Sequence, residues 1–374
     1  MKKYLKTFFL LLLLTILTVG CSDEDSAEEL QTEQEETHTE ALETEETDAQ
    51  TMAKDSTFEV HFIDVGQADA TLIKCDGKNM LIDGGNKEDS SLIYTYLKEQ
   101  DVEVLDYVIA THAHEDHIGG LAGALNYAQA EVVYSPVTAF ETEAFQDFVK
   151  YVEKQEKKIT IPDPGTKFML GSATCTILGV NTYDDDPNNT SIVLRVEYGE
   201  TAFLFSGDAE DSVESAILDA GYDISCTVLK VPHHGSEMSL SYRWFREAMP
   251  QYGIISVGAD NAYGHPNEDT LSRLRDAEVE VYRTDMQGDI ICTSDGENVF
   301  FETEKNSTVV PGKTDLETEN EGIGTYILNT NTHKFHYPNC RSVDEMKEKN
   351  KQEETASRDE IIAQGYDPCG NCNP

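Results

Sequence analysis

The chain has 374 residues, enough for one large domain with smaller pieces attached, and a formal net charge of −43. Fourteen acidic residues stand against the single Lys54 between residues 22 and 56, and the remainder is strongly acidic as well. Such a surface excludes long-range attraction of polyanions, so a nucleic-acid substrate would need local basic patches or bound metals to overcome the repulsion.

Residues 1–21 read as an export signal, with Lys2, Lys3 and Lys6 ahead of an apolar core from Phe8 to Leu17 that is too short for a comfortable membrane span. Cys21 directly after Gly20 resembles a bacterial lipoprotein cleavage site. That implies a lipidated Cys21 holding the chain to the outer face of the bacterial cell membrane, or otherwise a secreted protein. An uncleaved signal anchor is the alternative. Residues 22–56 hold almost no apolar residues, cannot bury enough surface to fold, and read as a disordered tether.

From Thr57 strands and turns alternate. Thr57–Val65 is the first strand, and Ala70–Lys74 and Met80–Asp83 form a hairpin across Asp76-Gly77-Lys78-Asn79. A helix (SLIYTYLKE) precedes the apolar strand Val104–Ala110, and a second helix (AFQDFVKYVEKQ) follows it. Strands are expected at 167–169, 174–178, 191–197, 201–205, 227–231, 253–257, 280–284, 289–293 and 299–302, with helices at 211–219, 242–249 and 268–277. Cys75, Cys175, Cys226 and Cys292 fall in strand-like runs and read as small buried apolar residues, although an exported chain permits disulfides. Strands and helices alternating in two halves suit a four-layer αββα sandwich of the α/β (α+β) class over residues 57–303.

The strand ending at Ala110 runs into Thr111-His112-Ala113-His114-Glu115-Asp116-His117-Ile118-Gly119-Gly120. His112 and His114, two apart on an extended segment, can point the same way, and Asp116 and His117 turn towards a neighbouring position as the chain enters a helix. A lone histidine is most simply a hydrogen-bonded loop residue. Three His and an Asp within six residues instead suit two metal ions a few ångströms apart that hold a bridging hydroxide and clamp the oxygens of a displacement reaction. A second apolar strand ends in Phe205-Ser206-Gly207-Asp208, and a third in Val231-Pro232-His233-His234-Gly235-Ser236.

The spacing H-x-H-x-D-H resembles the metallo-β-lactamase superfamily. Phe62-Ile63-Asp64-Val65-Gly66-Gln67-Ala68-Asp69-Ala70, Leu81-Ile82-Asp83-Gly84-Gly85, Asn189-Thr190-Ser191, His233-His234-Gly235-Ser236 and Gly264-His265-Pro266 are similar to the corresponding domain of ComEC-like competence proteins, in that family's order. The resemblance implies the αββα fold and two divalent metals, zinc or manganese. It also implies hydrolysis, with phosphodiesters such as DNA as the expected substrates. Carried over by residue, the metal ligands are His112, His114, Asp116, His117, Asp208 as the bridge, and one of the neighbouring pair His234 and His233, with His234 preferred. Asn188-Asn189-Thr190-Ser191 stands where a typical member has a third His. The first metal then keeps an open position or draws on Asn189 or another group. The long membrane-channel segments of ComEC-like proteins are absent, so DNA transport by this chain alone is not expected.

Asp116 and His265 are the expected catalytic residues. Asp116 orients the nucleophile, and His265 either donates a proton to the leaving group, adds a ligand, or is a plain loop histidine. Asp64, Asp69 and Asp83 lie beside Gly-rich turns, either as carboxylates holding metal-bound imidazoles or as turn caps. The expected function is an extracytoplasmic dinuclear metallohydrolase, a phosphodiesterase or nuclease. The rivals are hydrolysis of another ester, lactam or lactone, and a non-catalytic surface or DNA-binding adaptor with structural metals.

Residues 304–322 read as a linker and 323–374 as a small separate module. His336-x3-Cys340 and Cys369-x2-Cys372, with helix expected between them (VDEMKEKNKQE, then SRDEIIAQG), supply the four N/S ligands of a closed structural zinc site. About fifty residues lack a core without such a staple. The pattern resembles the metal-binding domain of the Ada DNA-repair protein with His336 in place of the first Cys, which removes the ground for alkyl-acceptor chemistry. A disulfide among Cys340, Cys369 and Cys372 is the rival.

Overall fold

The computed structural model describes residues 56–305, 324–338, 340–344, 346–356, 361–362 and 364–369. The expected signal segment, most of the tether, all of the linker but Glu304 and Lys305, Cys21 and Cys372 lie outside these.

The first half of the domain contains β1 (Phe58–Phe62), β2 (Thr71–Cys75), β3 (Lys78–Ile82), α1 (Ser90–Glu99), β4 (Val104–Ile109), α2 (Glu115–Ile118), α3 (Leu121–Tyr127), β5 (Gln129–Tyr134), α4 (Glu143–Lys154) and β6 (Ile159–Thr160). The second half contains β7 (Lys167–Leu170), β8 (Ala173–Gly179), β9 (Val193–Tyr198), β10 (Thr201–Phe205), α5 (Asp211–Asp219), β11 (Val228–Lys230), α6 (Tyr242–Ala248), β12 (Tyr252–Ile255), α7 (Glu268–Asp276) and β13 (Glu280–Arg283). A short α8 (Thr284–Gln287) leads to β14 (Ile290–Ser294) and β15 (Val299–Thr303), which return to the first sheet. The two sheets run β15-β14-β1-β2-β3-β4-β5-β6 and β13-β12-β11-β10-β9-β8-β7.

The inner faces of the two sheets meet over one buried cluster that joins Phe58, Val60 and Phe62 to Phe203, Phe205, Val228 and Ile254. Phe58 stacks on Tyr198 at 4.8 Å between ring centroids, which fixes β1 against β9 across the sandwich. A second cluster joins the other face of the first sheet to α1, α3 and α4, and a third joins the second sheet to α5, α6 and α7. Both sheets are thus covered on both faces, which is why β10, buried throughout, reads as an apolar run. The layers are α, β, β, α, as expected.

The β2–β3 hairpin is tighter than the sequence reading, because pairing continues to Cys75 opposite Lys78. Only Asp76 and Gly77 form the turn, at φ 51° and 77°, the two left-handed residues that match the twist of the flanking strands. Strands β5 and β6, which the sequence reading did not place, extend the parallel edge beyond β4.

The C-terminal residues make a four-stranded sheet of their own, in the order Lys351–Ala356, Gly324–Asn329, Lys334–His336, Asp367–Pro368. The helix expected over VDEMKEKNKQE is corrected here. Among the described residues of that stretch only Val343 and Asp344 fall in an α-helix, Arg341–Asp344, while Lys351–Ala356 pairs antiparallel with Gly324–Asn329. That non-local pairing overrides the helical preference of its Lys, Gln and Glu residues. Among the described residues no helix is long and apolar enough to cross a membrane.

Candidate metal centre

The motif after β4 is anchored before it binds anything. Thr111 donates its backbone N–H and its hydroxyl to Asp83 at 2.8 and 2.7 Å, tying the loop to the end of β3. His112 Nε2 and His114 Nδ1 then lie 3.0 Å apart, the convergence expected of a pair on an extended segment. His114 is the last extended residue before α2, whose first turn carries Asp116 and His117.

The ends of β10 and β11 bring the rest. Gly207 adopts φ 51°, and the Asp208 N–H donates to Ser191 Oγ at 3.1 Å. Asp208 Oδ1 lies 3.3 Å from His117 Nε2, and Asp208 Oδ2 lies 3.7 Å from His234 Nε2. Asp116 Oδ2 lies 3.4 Å from His234 Nε2 and 3.9 Å from His117 Nε2. Ligand atoms at 2.0–2.1 Å from a tetrahedral ion stand about 3.3–3.4 Å from one another, which is close to these separations. His117 Nε2, His234 Nε2 and Asp208 Oδ1 are buried without a hydrogen-bond partner. Buried polar atoms are normally satisfied, so this oxygen and nitrogen donor set fits a divalent cation.

Consecutive left-handed residues, His233 and His234, both at φ 52°, aim two neighbouring side chains into the site. His234 joins the cluster, and its Nδ1 donates to the Ser256 carbonyl at 3.0 Å. His233 flanks it, with Nε2 3.8 Å from Asp208 Oδ2 and Nδ1 3.7 Å from Glu210 Oε1. The amide of Asn189 is engaged by Glu210 and Ser212, whereas Asn188 Oδ1 is buried without a partner. The His265 ring stands 5.6 Å from His233 and 6.4 Å from His234, with Gln67 Nε2 3.5 Å from its Nδ1.

Charge is distributed unevenly over these groups. Burial works against a charged His117, but the carboxylates of Asp208, Asp83 and Asp116 outweigh it and raise its pKa well above the ordinary value. Burial likewise opposes ionisation of Asp116 and Asp208, yet the neighbouring histidines hold both carboxyls below the usual range. Burial and then the His117 charge push His112 far down. His265 is pushed down to about 4 by burial and by His233 and His234, so its ring is neutral near pH 7.

The three turn aspartates part ways. Asp83 Oδ2 accepts from His117 Nδ1 at 2.8 Å, and Asp69 Oδ1 lies 3.5 Å from His234 Nδ1, both behind imidazoles. Asp64 instead pairs with Lys305 at 2.9 Å and caps the Gly66 N–H, the turn role. Lys230 and Gln67 were missed as site residues. A lysine inside the apolar run Val228-Leu229-Lys230-Val231 was the available signal, since buried lysines need a partner.

The sequence profile of the metallo-beta-lactamase superfamily matches residues 63–258, just over half of the chain. The chain belongs to that superfamily. The chain is 28% identical over 252 residues to ComE operon protein 3 of Bacillus subtilis, a match spanning 62% of this chain and 32% of that protein. It is 28% identical over 227 residues to competence protein ComA of Neisseria gonorrhoeae, spanning 60% of this chain and 30% of that one. The matched region is thus about a third of the length of these relatives. Among solved structures it is similar to the metallo-beta-lactamase fold protein YhfI of Bacillus subtilis, at 16% identity and TM-score 0.43, over 63% of this chain and 100% of that one. The chain has the metallo-beta-lactamase fold of a metal-dependent hydrolase.

In the C-terminal sheet, ligand atoms of the buried His336, Cys340 and Cys369 all lie within 4.8 Å of one another. Both ring nitrogens of His336 lack a hydrogen-bond partner, and the Cys340 and Cys369 side chains are buried beside it.

Proposed function

We propose that the chain is an extracytoplasmic phosphodiesterase that would work with two divalent metals, zinc or manganese. Asp116, His117 and His234 would hold one metal with Asp208, and His112 and His114 the other. The observation that carries the metal-dependent part of this reading is the set of buried, unpartnered ligand atoms His117 Nε2, His234 Nε2 and Asp208 Oδ1. Metals bound there supply Lewis acidity towards substrate oxygens and a nucleophile generated from water near neutral pH.

The chain's own residues do the rest. Asp116 is anionic at neutral pH and is the ligand of the cluster most open to solvent, at 33% side-chain exposure, so it orients the attacking water. Asp83 holds the His117 ring in place. His265 presents a neutral ring beside His233 and His234, suited to hydrogen-bonding the leaving-group oxygen. The phosphodiester class is supported by the resemblance of the motifs to ComEC-like domains and by the competence names of the relatives. The pattern of residues 1–21 supports anchoring through Cys21 at the outer membrane face. In the C-terminal module, His336, Cys340 and Cys369, with Cys372, would hold one structural zinc.

The net charge of −43 favours a second reading, hydrolysis of a less anionic ester, lactam or lactone. The test loads the purified chain with zinc or manganese and assays bis-p-nitrophenyl phosphate, plasmid DNA and a cephalosporin beside His114→Ala and Asp208→Ala. Diester or DNA cleavage lost in both variants supports the phosphodiesterase. Cephalosporin turnover alone moves the assignment to lactams, and two bound metals with no turnover move it to a binding protein.

A further inference from the structure

Lys230, the last residue of β11, is buried at 3% exposure. Its ammonium donates to Asp69 Oδ2 at 2.9 Å and to the Val231 carbonyl at 3.1 Å. Asp69, 5% exposed, comes from the loop between β1 and β2, so the ion pair joins the two halves of the sandwich. Its backbone N–H donates to the Asp116 carbonyl at 3.0 Å, and its carbonyl accepts the Gly85 N–H at 2.8 Å. Asp69 therefore touches α2 at Asp116 and, through Lys230, the end of β11 that runs on to His234.

The second carboxylate oxygen decides what the pair does. Asp69 Oδ1 is buried, has no hydrogen-bond partner, and lies 3.5 Å from His234 Nδ1. That nitrogen already donates to the Ser256 carbonyl, so the ring's orientation does not depend on Asp69. What Asp69 adds is charge. Lys230 holds Oδ2, which keeps Oδ1 on the Nδ1 side of the ring, away from the Nε2 that faces Asp116 and Asp208. A buried ion pair pays a desolvation cost that a well-packed apolar pair would avoid, so stability alone is a weak reason for one here.

We propose that Asp69 and Lys230 form a positioning pair for the second metal, an oriented dipole whose negative end lies behind His234 and strengthens that ring as a ligand. The inference rests on the reading of Asp116, His117, Asp208 and His234 as a metal position. Negative charge behind a ligating imidazole raises its donor strength, and loss of such outer partners weakens metal binding about 10–100-fold.

The test titrates the metal-free full chain with zinc against a chromophoric chelator, for wild type, Asp69→Asn, Lys230→Met and the double variant. Each single change leaves one buried charge unpaired and lowers the thermal midpoint, whereas the double change removes both charges and restores it. In the double variant one zinc of the hydrolase domain should bind about 10–100-fold more weakly while the other is unchanged. The zinc of the C-terminal cluster is common to all four proteins. Wild-type affinity for both zincs in a folded double variant would show that the pair is only a strut between the sheets. Should the double variant not fold, Asp69→Asn carries the test with the same expected selective loss, and wild-type affinity for both zincs overturns the proposal. A wild type that takes up no zinc at the cluster overturns the metal reading itself, a result distinct from both.

Discussion

Asp83 Oδ2 stands 2.8 Å from Nδ1 of His117, on the far side of the ring from the nitrogen that faces Asp208. Thr111 donates its N–H to Asp83 Oδ1 and its hydroxyl to Oδ2, which holds the carboxylate turned towards the ring. A ring held by its Nδ1 presents Nε2 in one direction and one tautomer. If His117 is a ligand as proposed, Asp83→Ala should therefore weaken metal binding at that position by about 10–100-fold while the protein stays folded. Chelator competition measures this, and an unchanged affinity would mean that Thr111 and packing suffice to hold the ring.

The same site predicts opposite pH behaviour with and without metal. In the metal-free chain, His117 is held above its ordinary value of 6.5 by Asp208, Asp83 and Asp116 against the effect of burial, and His234 is shifted in the same direction. A raised folded value means that the folded state keeps protons the unfolded chain releases. Its contribution to stability is complete below the unfolded value and is lost as pH rises through the folded one. Asp116 and Asp208, shifted down, are ionised in both states across this range and add no slope. The chelator-treated chain should lose thermal stability as pH rises above the ordinary histidine value of 6.5, whereas the metal-loaded chain, whose ligand rings would already be neutral, should not. Melting curves of both forms decide it, and parallel profiles would remove the charged-histidine account.

The site was legible where an apolar strand ran straight into ligands, as at Ile109 to His112, Phe205 to Asp208 and Val231 to His234. A buried strand that ends in polar residues states both its burial and its chemistry. Equivalent local contexts were not separable. Asp64 and Asp69 both sit beside Gly66, yet Asp64 meets Lys305, 241 residues away, and Asp69 meets Lys230, 161 residues away. Which loops the fold brings together is not written in either turn. Strand β5 was missed because its burial alternates imperfectly, and Lys351–Ala356 because its partner strand lies beyond a helix.

Gly207 is where backbone conformation and ligand placement coincide. At φ 51°, a Cβ would stand 2.8 Å from Thr111 Cβ and 3.0 Å from Ser191 Oγ. Those neighbours belong to the loop before His112 and to the hydroxyl that accepts the Asp208 N–H, so relief of the clash moves candidate ligands of both proposed metal positions. Gly207→Ala should cost about 1–3 kcal/mol and lower uptake of both metals together, unlike the selective loss in Asp83→Ala. Denaturant unfolding beside metal analysis tests it. Full stability with normal metal content would show that the loops yield without consequence.

The C-terminal sheet depends on its own cluster. Ile327, Cys340, Val343, Met346 and Cys369 form one of its two small apolar groups, and two members of that group are candidate ligands. A core of that size supplies little stability by itself, so a metal held by His336, Cys340 and Cys369 would carry much of the folding energy. Cys340→Ser should remove one zinc per chain and open residues 324–369 to protease, while the hydrolase metals and diester cleavage persist. Metal analysis with limited proteolysis reads both effects. Unchanged zinc content together with an intact protease pattern would mean that the thiols are ordinary core residues, and retained zinc with lost activity would place Cys340 in the service of the hydrolase site instead.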